Sequence, residues 1–342
     1  MRPDDRVRQA VRCRRGGDSA AAPAPAAAAG YYAPVTVSEF IPAQSSRRGA
    51  ETEYRVRLGD GRTLACLGLG DPVGSPVLYF HGFPGSRLEA RVAAAAAGRL
   101  GLRLLAVDRP GFGESAFQPG RRIGDWPTDI AALADELRLE RFSIVGVSGG
   151  APYALACAAS LADRLAGVAL LCPLGPLAIA GSTAGMVTHD RVLLALAARA
   201  PPLARAVAHV LTRWIRRSPD RCLEFLTAGL NSPDRDLFAD PGYRSLMSRS
   251  TMEALRQGGQ GAAWELTLIA RPWDFRLEDV RMRVTLWQGL ADQILPAAMA
   301  RRWAARLPAC ESRYIPGEGH LSLVVHRLGE ALAELRPVDP AR

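Results

Sequence analysis

A serine flanked by glycines is the first residue in this sequence whose surroundings suggest chemistry. The segment Gly146-Val147-Ser148-Gly149-Gly150 has the pattern G-x-S-x-G and joins an apolar, β-branched run to a helix-compatible run. This pattern is typical of a sharp strand-to-helix turn, in which the serine is strained and its hydroxyl is exposed at the start of the helix. We therefore predict Ser148 as a nucleophile. A glycine-rich turn with an incidental serine stays open until further residues are considered.

A serine hydroxyl needs a positioned base, and the base needs a carboxylate that holds it in the right tautomer. Among the five histidines, His320 ends the loop GEGH directly after a predicted strand. Asp292 lies in the loop after another predicted strand, and the order Ser148, Asp292, His320 is the one that nucleophile elbows require. We predict His320 as the base and Asp292 as its carboxylate, although Asp292 could instead cap a helix. His326 should point along a helix, and His189 stays open as part of a pocket wall.

A tetrahedral intermediate also needs two backbone N–H donors for its oxyanion. The residue after the nucleophile, Gly149, supplies one amide, and the segment HGFPGS at residues 81–86 should supply the other. Pro84 has no N–H, so Phe83 is the predicted second donor. His81 is a tempting base, but we expect it to hold this loop by hydrogen bonding.

The elements around these residues alternate between strand and helix from residue 53 onward. Strands separated by helices of this length require crossover connections, so we expect an α/β fold with a mostly parallel sheet and helices on both faces. The first two strands read as a hairpin that lies antiparallel at one edge. After Cys172 the pattern is helical only for about a hundred residues, and there the apolar face of one helix is predicted from the spacing of Val207, Val210, Leu211, Trp214 and Ile215.

This pattern divides the chain into a core and an inserted helical part. We predict a disordered tail at 1–34, an α/β core at 35–172 and 278–342, and a helical cap at 173–277. The first 30 residues lack the apolar run of an export signal, and prolines and glycines interrupt the uncharged stretch at 165–187. We therefore expect a cytoplasmic protein without a membrane span.

Composition excludes several classes of chemistry. All 43 basic residues are arginine, so lysine-dependent chemistry such as a Schiff base or a Ser-Lys dyad is excluded. The net charge of +9 comes with no basic stripe interleaved with aromatics, so no nucleic-acid partner is expected. Six scattered cysteines without a C-x-x-C pair predict buried thiols in a reducing compartment rather than disulfides or zinc. No cofactor and no metal site are predicted.

These motifs together resemble those of the α/β-hydrolase superfamily over about residues 50–337. The segments that carry the resemblance are HGFPGS, DRPGFGES at 108–115, GVSGG, WQGLAD and GEGH. The resemblance implies an eight-stranded sheet with a helical cap and hydrolysis through an acyl-enzyme. It also implies that Asp108 is structural. Many relatives have histidine at the position of Gln288, a difference that we expect not to touch the catalytic residues.

The leading functional hypothesis is a serine hydrolase that cleaves a carboxylic ester with an apolar acyl or alkyl part. Serine at position 148 separates the chain from the haloalkane dehalogenase and epoxide hydrolase branches, which need an aspartate there. Amide or peptide, thioester and carbon–carbon bond cleavage stay open, as do a non-hydrolytic biosynthetic reaction and a non-catalytic ligand-binding role. A proline-iminopeptidase-like activity would need cap carboxylates, for which Glu224, Glu253 and Glu265 are the available glutamates. We expect Trp264, Trp273, Leu268, Ile269 and Phe275 to line an acyl pocket.

Overall fold

A computed structural model describes residues 51–335, and the predicted tail at 1–34 lies outside this range. Within residues 51–335 the chain forms one sheet of eight strands in the order β1-β2-β4-β3-β5-β6-β7-β8. The pairs β1–β2 and β2–β4 are antiparallel, and every other neighbouring pair is parallel. The strands are β1 (Thr52–Arg57), β2 (Thr63–Gly70), β3 (Ser75–Phe80), β4 (Leu102–Val107), β5 (Phe142–Val147), β6 (Leu165–Leu171), β7 (Val284–Gly289) and β8 (Cys310–Ile315). The α/β fold class, the eight-stranded sheet and the antiparallel edge hairpin are confirmed.

Helices connect the parallel strands, because parallel neighbours need a crossover. The connection between β3 and β4 begins as a 3₁₀ helix, Arg87–Ala93, and becomes α-helical from Ala94. Six helices, α4 to α9, lie between β6 and β7. The helices are α1 (Ala94–Leu100), α2 (Trp126–Glu136), α3 (Ala151–Ser160), α4 (Thr188–Arg199), α5 (Pro201–Arg217), α6 (Pro219–Thr227), α7 (Ser232–Leu237), α8 (Pro241–Ala254), α9 (Gln260–Ile269), α10 (Ala297–Ala304) and α11 (His320–Glu334).

The central strands of the sheet are buried on both faces, as their continuous apolar character requires. Along β3, Leu78 and Phe80 belong to one hydrophobic cluster, and Val77 and Tyr79 belong to another on the opposite face. The first cluster includes residues of α2, α3 and α10, and the second includes residues of α1 and α11. The sheet is therefore a rigid layer whose carboxyl edge can hold functional loops in place.

The prediction for the inward face of α5 is wrong at two of its five residues. Val210 is 66% exposed and Leu211 is 37% exposed, while Ala204, Ala208 and Thr212 are buried. A Cβ at Gly259, the residue preceding α9, would lie 2.6 Å from Oγ1 of Thr212. The close approach of the chain here favours small residues over the branched apolar ones that the periodicity selected.

None of the helices within residues 51–335 combines the length and the apolar character that a bilayer crossing requires.

Candidate active site

Ser148 lies at the turn between β5 and α3, in the left-handed backbone region with φ +51°. This conformation costs a non-glycine residue about 1–3 kcal/mol. A Cβ at Gly150 would lie 2.2 Å from the carbonyl oxygen of Phe80, and one at Gly146 would lie 2.9 Å from Cβ of Ala154. Both glycines of the motif are therefore required by the crowding at this turn.

The hydroxyl of Ser148 faces an imidazole, and the imidazole faces a carboxylate. Nε2 of His320 lies 3.0 Å from Oγ of Ser148, and Nδ1 of His320 lies 2.8 Å from Oδ2 of Asp292. Oδ1 of Asp292 accepts hydrogen bonds from the amides of Ile294 and Leu295, which fix the orientation of the carboxylate. The structure thus brings together all three residues that the sequence nominates, although His320 is the first residue of α11 rather than part of the loop.

Charges around His320 favour its protonated form. Burial of the imidazole lowers its pKa, but the carboxylates of Asp292, Asp234 and Asp190 outweigh burial and hold the pKa of His320 above its ordinary value. An imidazole in this setting is a stronger base than a free histidine and is stabilised once it holds a proton.

Gln288 contacts the predicted carboxylate Asp292, a contact that sequence reasoning missed. Its Nε2 donates hydrogen bonds to Oδ2 of Asp292 and to the carbonyl of Leu295, both at 3.0 Å. The expectation that position 288 does not touch the catalytic residues is therefore wrong. The spacing of four residues between Gln288 and Asp292 around a sharp loop was the available signal.

Cys172 follows β6 and lies beside the same residues. Its Sγ is 3.2 Å from the carbonyl oxygen of His320, and burial raises the pKa of the thiol. Donor atoms of Cys172, Asp292 and His320 lie within 4.8 Å of one another. The hydrogen bond between Asp292 and His320 gives these two side chains a partner without an ion.

The loop after β3 brings Phe83 against the turn that carries the serine. A Cβ at Gly149 would lie 2.8 Å from Cβ and 3.3 Å from the backbone nitrogen of Phe83, so only glycine allows this approach. His81 is buried in the loop, where Nδ1 donates to the carbonyl of Gly82 and Nε2 accepts from the amide of Arg109. Burial and the charge of Arg109 hold the pKa of His81 well below its ordinary value.

A buried ion-pair network contacts the loop that follows β3. The guanidinium of Arg109 donates to the carbonyl oxygens of His81 and Gly82. Glu265 of α9 accepts hydrogen bonds from Arg109 at 2.6 and 2.9 Å and from Arg121 at 2.8 Å, and all three side chains are nearly inaccessible to solvent. Burial opposes the charge on Glu265, but the two arginines outweigh burial and hold its pKa below the ordinary value.

Two cavities meet at Ser148. One of about 100 Å³ is lined mainly by aliphatic side chains and includes Phe83, Gly149 and Asp190. The other, of about 150 Å³, includes His320 and Glu89. Both cavities are lined mostly by apolar side chains, and they differ in that His320 lines the second while Gly149 lines the first.

The aromatic residues expected in an acyl pocket lie mostly elsewhere. Ile269 lines the cavity of about 100 Å³. Trp264 donates to the carbonyl of Arg121, and Trp273 stacks on Phe275 at 5.5 Å between ring centroids. Leucine side chains form the cavity wall in their place, namely Leu174, Leu193, Leu194, Leu266 and Leu295.

The remaining histidines and acids that were considered have other contacts. His326 lies 3.1 Å from the carboxylate of Glu318, and His189 is exposed beside Asp190. Asp108 is buried and accepts hydrogen bonds from the backbone and guanidinium of Arg87, as expected of a structural residue.

Comparison with known proteins assigns this chain to a family. Residues 75–327 match the model of the α/β hydrolase fold. The chain is 35% identical to epoxide hydrolase B of Mycobacterium tuberculosis over 101 residues, which are 29% of this chain and 28% of that protein. It is 27% identical over 276 residues to the dihydrolipoyllysine-residue acetyltransferase component of the acetoin cleaving system of Pseudomonas putida, covering 76% of this chain and 62% of that protein.

Among solved structures, a thermophilic esterase from Thermogutta terrifontis superimposes with a TM-score of 0.60 at 22% identity, over 83% of this chain and 97% of the esterase. A likeness at this identity shows the shared fold. With the family model matched over most of the sheet and the helices around it, the chain belongs to the α/β hydrolase fold family.

Proposed function

We propose that the protein is a serine hydrolase that cleaves carboxylic esters through an acyl-enzyme. The observation that carries the proposal is the continuous hydrogen-bond chain from Ser148 Oγ to His320 Nε2, and from His320 Nδ1 to Asp292 Oδ2. Serine at the turn favours this reaction over that of epoxide hydrolases with an aspartate nucleophile, even though one matched relative bears that name.

In the proposed reaction, His320 takes the proton of Ser148 as the hydroxyl oxygen attacks the ester carbonyl carbon. The resulting oxyanion is stabilised by the amides of Phe83 and Gly149, and Asp292 stabilises the imidazolium. His320 then protonates the departing alkoxide, leaving an acyl group on Ser148. A water molecule, deprotonated by the same imidazole, attacks the acyl-enzyme and releases the acid.

The two cavities support an assignment of substrate parts. His320 must reach the leaving alcohol, and it lines only the cavity of about 150 Å³. The acyl group then belongs in the cavity of about 100 Å³, which is lined by Gly149 beside the carbonyl position. A cavity of about 100 Å³ holds only a small number of atoms, so we propose a short acyl chain.

Helices α4 to α9 would act as the cap at 173–277 that selects this substrate, because Leu193 and Leu266 in them line the acyl cavity.

The cysteines described in the structure are free thiols, which supports a reducing cytoplasmic setting.

Asp190 favours a second candidate, hydrolysis of aminoacyl esters or amides. Its carboxyl lines the aliphatic cavity, where it could pair with a substrate ammonium group. Burial raises the pKa of Asp190, although His189 favours the charged form. The glutamates first considered for this role do not line either cavity: Glu265 pairs with Arg109, and Glu253 pairs with Arg87.

The test is a panel of p-nitrophenyl esters with acyl chains of rising length, run on the wild type and on Ser148→Ala. We expect turnover that is highest for short chains and lost in Ser148→Ala, with labelling of Ser148 by a fluorophosphonate. Turnover that survives in Ser148→Ala would refute the proposal.

Amino-acid p-nitroanilides, assayed on the wild type and on Asp190→Asn, test the second candidate.

A further inference from the structure

The first turn of α11 is capped by a side chain from a distant part of the sequence. A helix N-terminus leaves its first amides without backbone partners. The N-cap residue of α11 is Gly319, which has no side-chain acceptor. Asp234 of α7 supplies the acceptors instead: Oδ2 accepts from the amide of His320 at 2.8 Å, and Oδ1 accepts from the amides of Leu321 and Ser322 at 2.8 and 2.9 Å.

The burial of Asp234 and the absence of a side chain at Gly319 both favour this contact. Asp234 is 1% exposed, so its carboxylate is committed to these amides. A Cβ at Gly319 would lie 2.4 Å from Oδ1 of Asp234, which means that any side chain at position 319 would displace the carboxylate. The glycine before His320 therefore leaves the space that Asp234 occupies.

The same short segment also contacts the loop that carries the carboxylate of the site. Asn231, which precedes α7, donates from Nδ2 to the carbonyl oxygen of Ala291, the residue before Asp292. Residues 231–234 of the helical insertion thus hold the start of the His320 helix and the Asp292 loop together.

We propose that Asp234 is a positioning residue that sets the location of the His320 imidazole from within the helical insertion. The proposal rests on the proposed role of His320 as the base. Because three hydrogen bonds from one carboxylate fix the backbone on which the imidazole is mounted, their loss lets the imidazole move relative to Ser148. A misplacement of about 1 Å can reduce turnover about 100-fold.

The charge of Asp234 has a second, separable effect. The acidic groups that face His320 are Asp292, Asp234 and Asp190, together with Glu89, which lines the same cavity as His320. Asp234 contributes to raising the pKa of His320. Removing this one charge should therefore lower that pKa, and the acidic limb of the kcat/KM profile should move to lower pH.

Two variants separate the effects. Asp234→Ala removes the acceptors, and we expect kcat for the best ester of the panel to fall about 10- to 100-fold with KM little changed. Asp234→Asn keeps one acceptor oxygen but removes the charge, so it should recover much of the lost kcat while still showing the shifted acidic limb. Asp236→Asn is the matched control, because Asp236 lies on the same helix, is exposed, and bonds only to Ser232 among the described side-chain contacts.

A merely structural role predicts a different pattern. It would lower the melting temperature of Asp234→Ala while the folded fraction, titrated with the fluorophosphonate, kept the wild-type kcat and pH profile. That result would overturn the proposal. If Asp234→Ala does not fold, the pH profile of Asp234→Asn decides, together with NMR titration of the His320 imidazole, and an unshifted pKa would overturn the proposal as well.

These outcomes differ from failure of the proposed function. That failure appears as ester turnover that persists in Ser148→Ala.

Discussion

Nε2 of Gln288 donates to Oδ2 of Asp292 at 3.0 Å, the same carboxylate oxygen that lies 2.8 Å from Nδ1 of His320. One oxygen thus has two hydrogen-bond donors on different elements, one at the end of β7 and one at the start of α11. The side-chain amide of Gln288 therefore helps to fix the orientation of the Asp292 carboxylate relative to the imidazole of His320.

Replacing Gln288 tests this relationship. Gln288→Leu keeps the approximate volume but removes the donor, so Asp292 loses one of its orienting bonds. We expect kcat/KM to fall about 10-fold, on the scale of outer contacts that orient functional ligands. Steady-state kinetics with a short acyl ester measure it, and unchanged kinetics would show that Asp292 is sufficiently held by the amides of Ile294 and Leu295.

The pH dependence of activity follows from the raised pKa of His320. The imidazole must be neutral to accept the proton of Ser148, so activity is present above its pKa and is lost as the pH falls through it. Because the pKa of His320 lies above its ordinary value of about 6.5, the half-maximal point of the acidic limb of kcat/KM should lie above pH ~6.5. A limb centred below the ordinary histidine value would contradict the electrostatic account.

Gly149→Ala tests the proposed oxyanion donors. The added Cβ would lie 2.8 Å from Cβ of Phe83, so the two amides must move apart. We expect kcat to fall about 100-fold or more, the scale of losing one oxyanion donor. Gly98→Ala is the control, since a Cβ there has no neighbour closer than 4.0 Å. Equal activity of the two variants would remove Phe83 and Gly149 from the mechanism.

Glu265→Ala tests the buried network behind the Phe83 loop. The substitution leaves Arg109 and Arg121 buried without their counter-charge, and breaking such a pair costs about 3–5 kcal/mol. Urea unfolding should show this loss in the free energy of unfolding. Glu278→Ala, which breaks an exposed pair with Arg306, should change stability little. A loss below about 1 kcal/mol for Glu265→Ala would mean that water compensates the arginines.

Leu193→Phe tests the assignment of the acyl cavity. Leu193 lines the cavity of about 100 Å³, and a phenyl ring there reduces the space for the acyl chain. We expect KM to rise with chain length while acetyl esters are least affected. Val192→Phe changes the neighbouring residue, which is 59% exposed, and should leave the chain-length profile unchanged. A uniform effect on all chain lengths would assign the acyl group to the other cavity.

The sequence predicts the location of a residue well where that residue lies in the loop directly after a strand. Ser148, Asp292 and His320 each follow a strand with a clear apolar pattern, and parallel strands deliver their following loops to one edge. The fold class follows from the same pattern, because alternation of strands and helices leaves few ways to bury both faces of a sheet.

Contacts between the inserted helices and the core were not predictable in the same way. Asp234 and Glu265 lie in helices whose pattern gives no information on which loop they meet, and their partners are 86 and 156 residues away. The inward face of α5 was misassigned because small residues at a close helix approach carry a weak hydrophobic signal. The tryptophans expected in the pocket have partners that only the tertiary fold defines.

The two acids in the insertion constrain how its specificity can be re-engineered. Exchanging the segment between β6 and β7 for that of a relative would remove the carboxylate that caps the His320 helix and the one that neutralises Arg109. A chimera with a new substrate pocket must therefore import an aspartate and a glutamate at equivalent places. Otherwise the first amides of α11 and the guanidinium of Arg109 lose these acceptors.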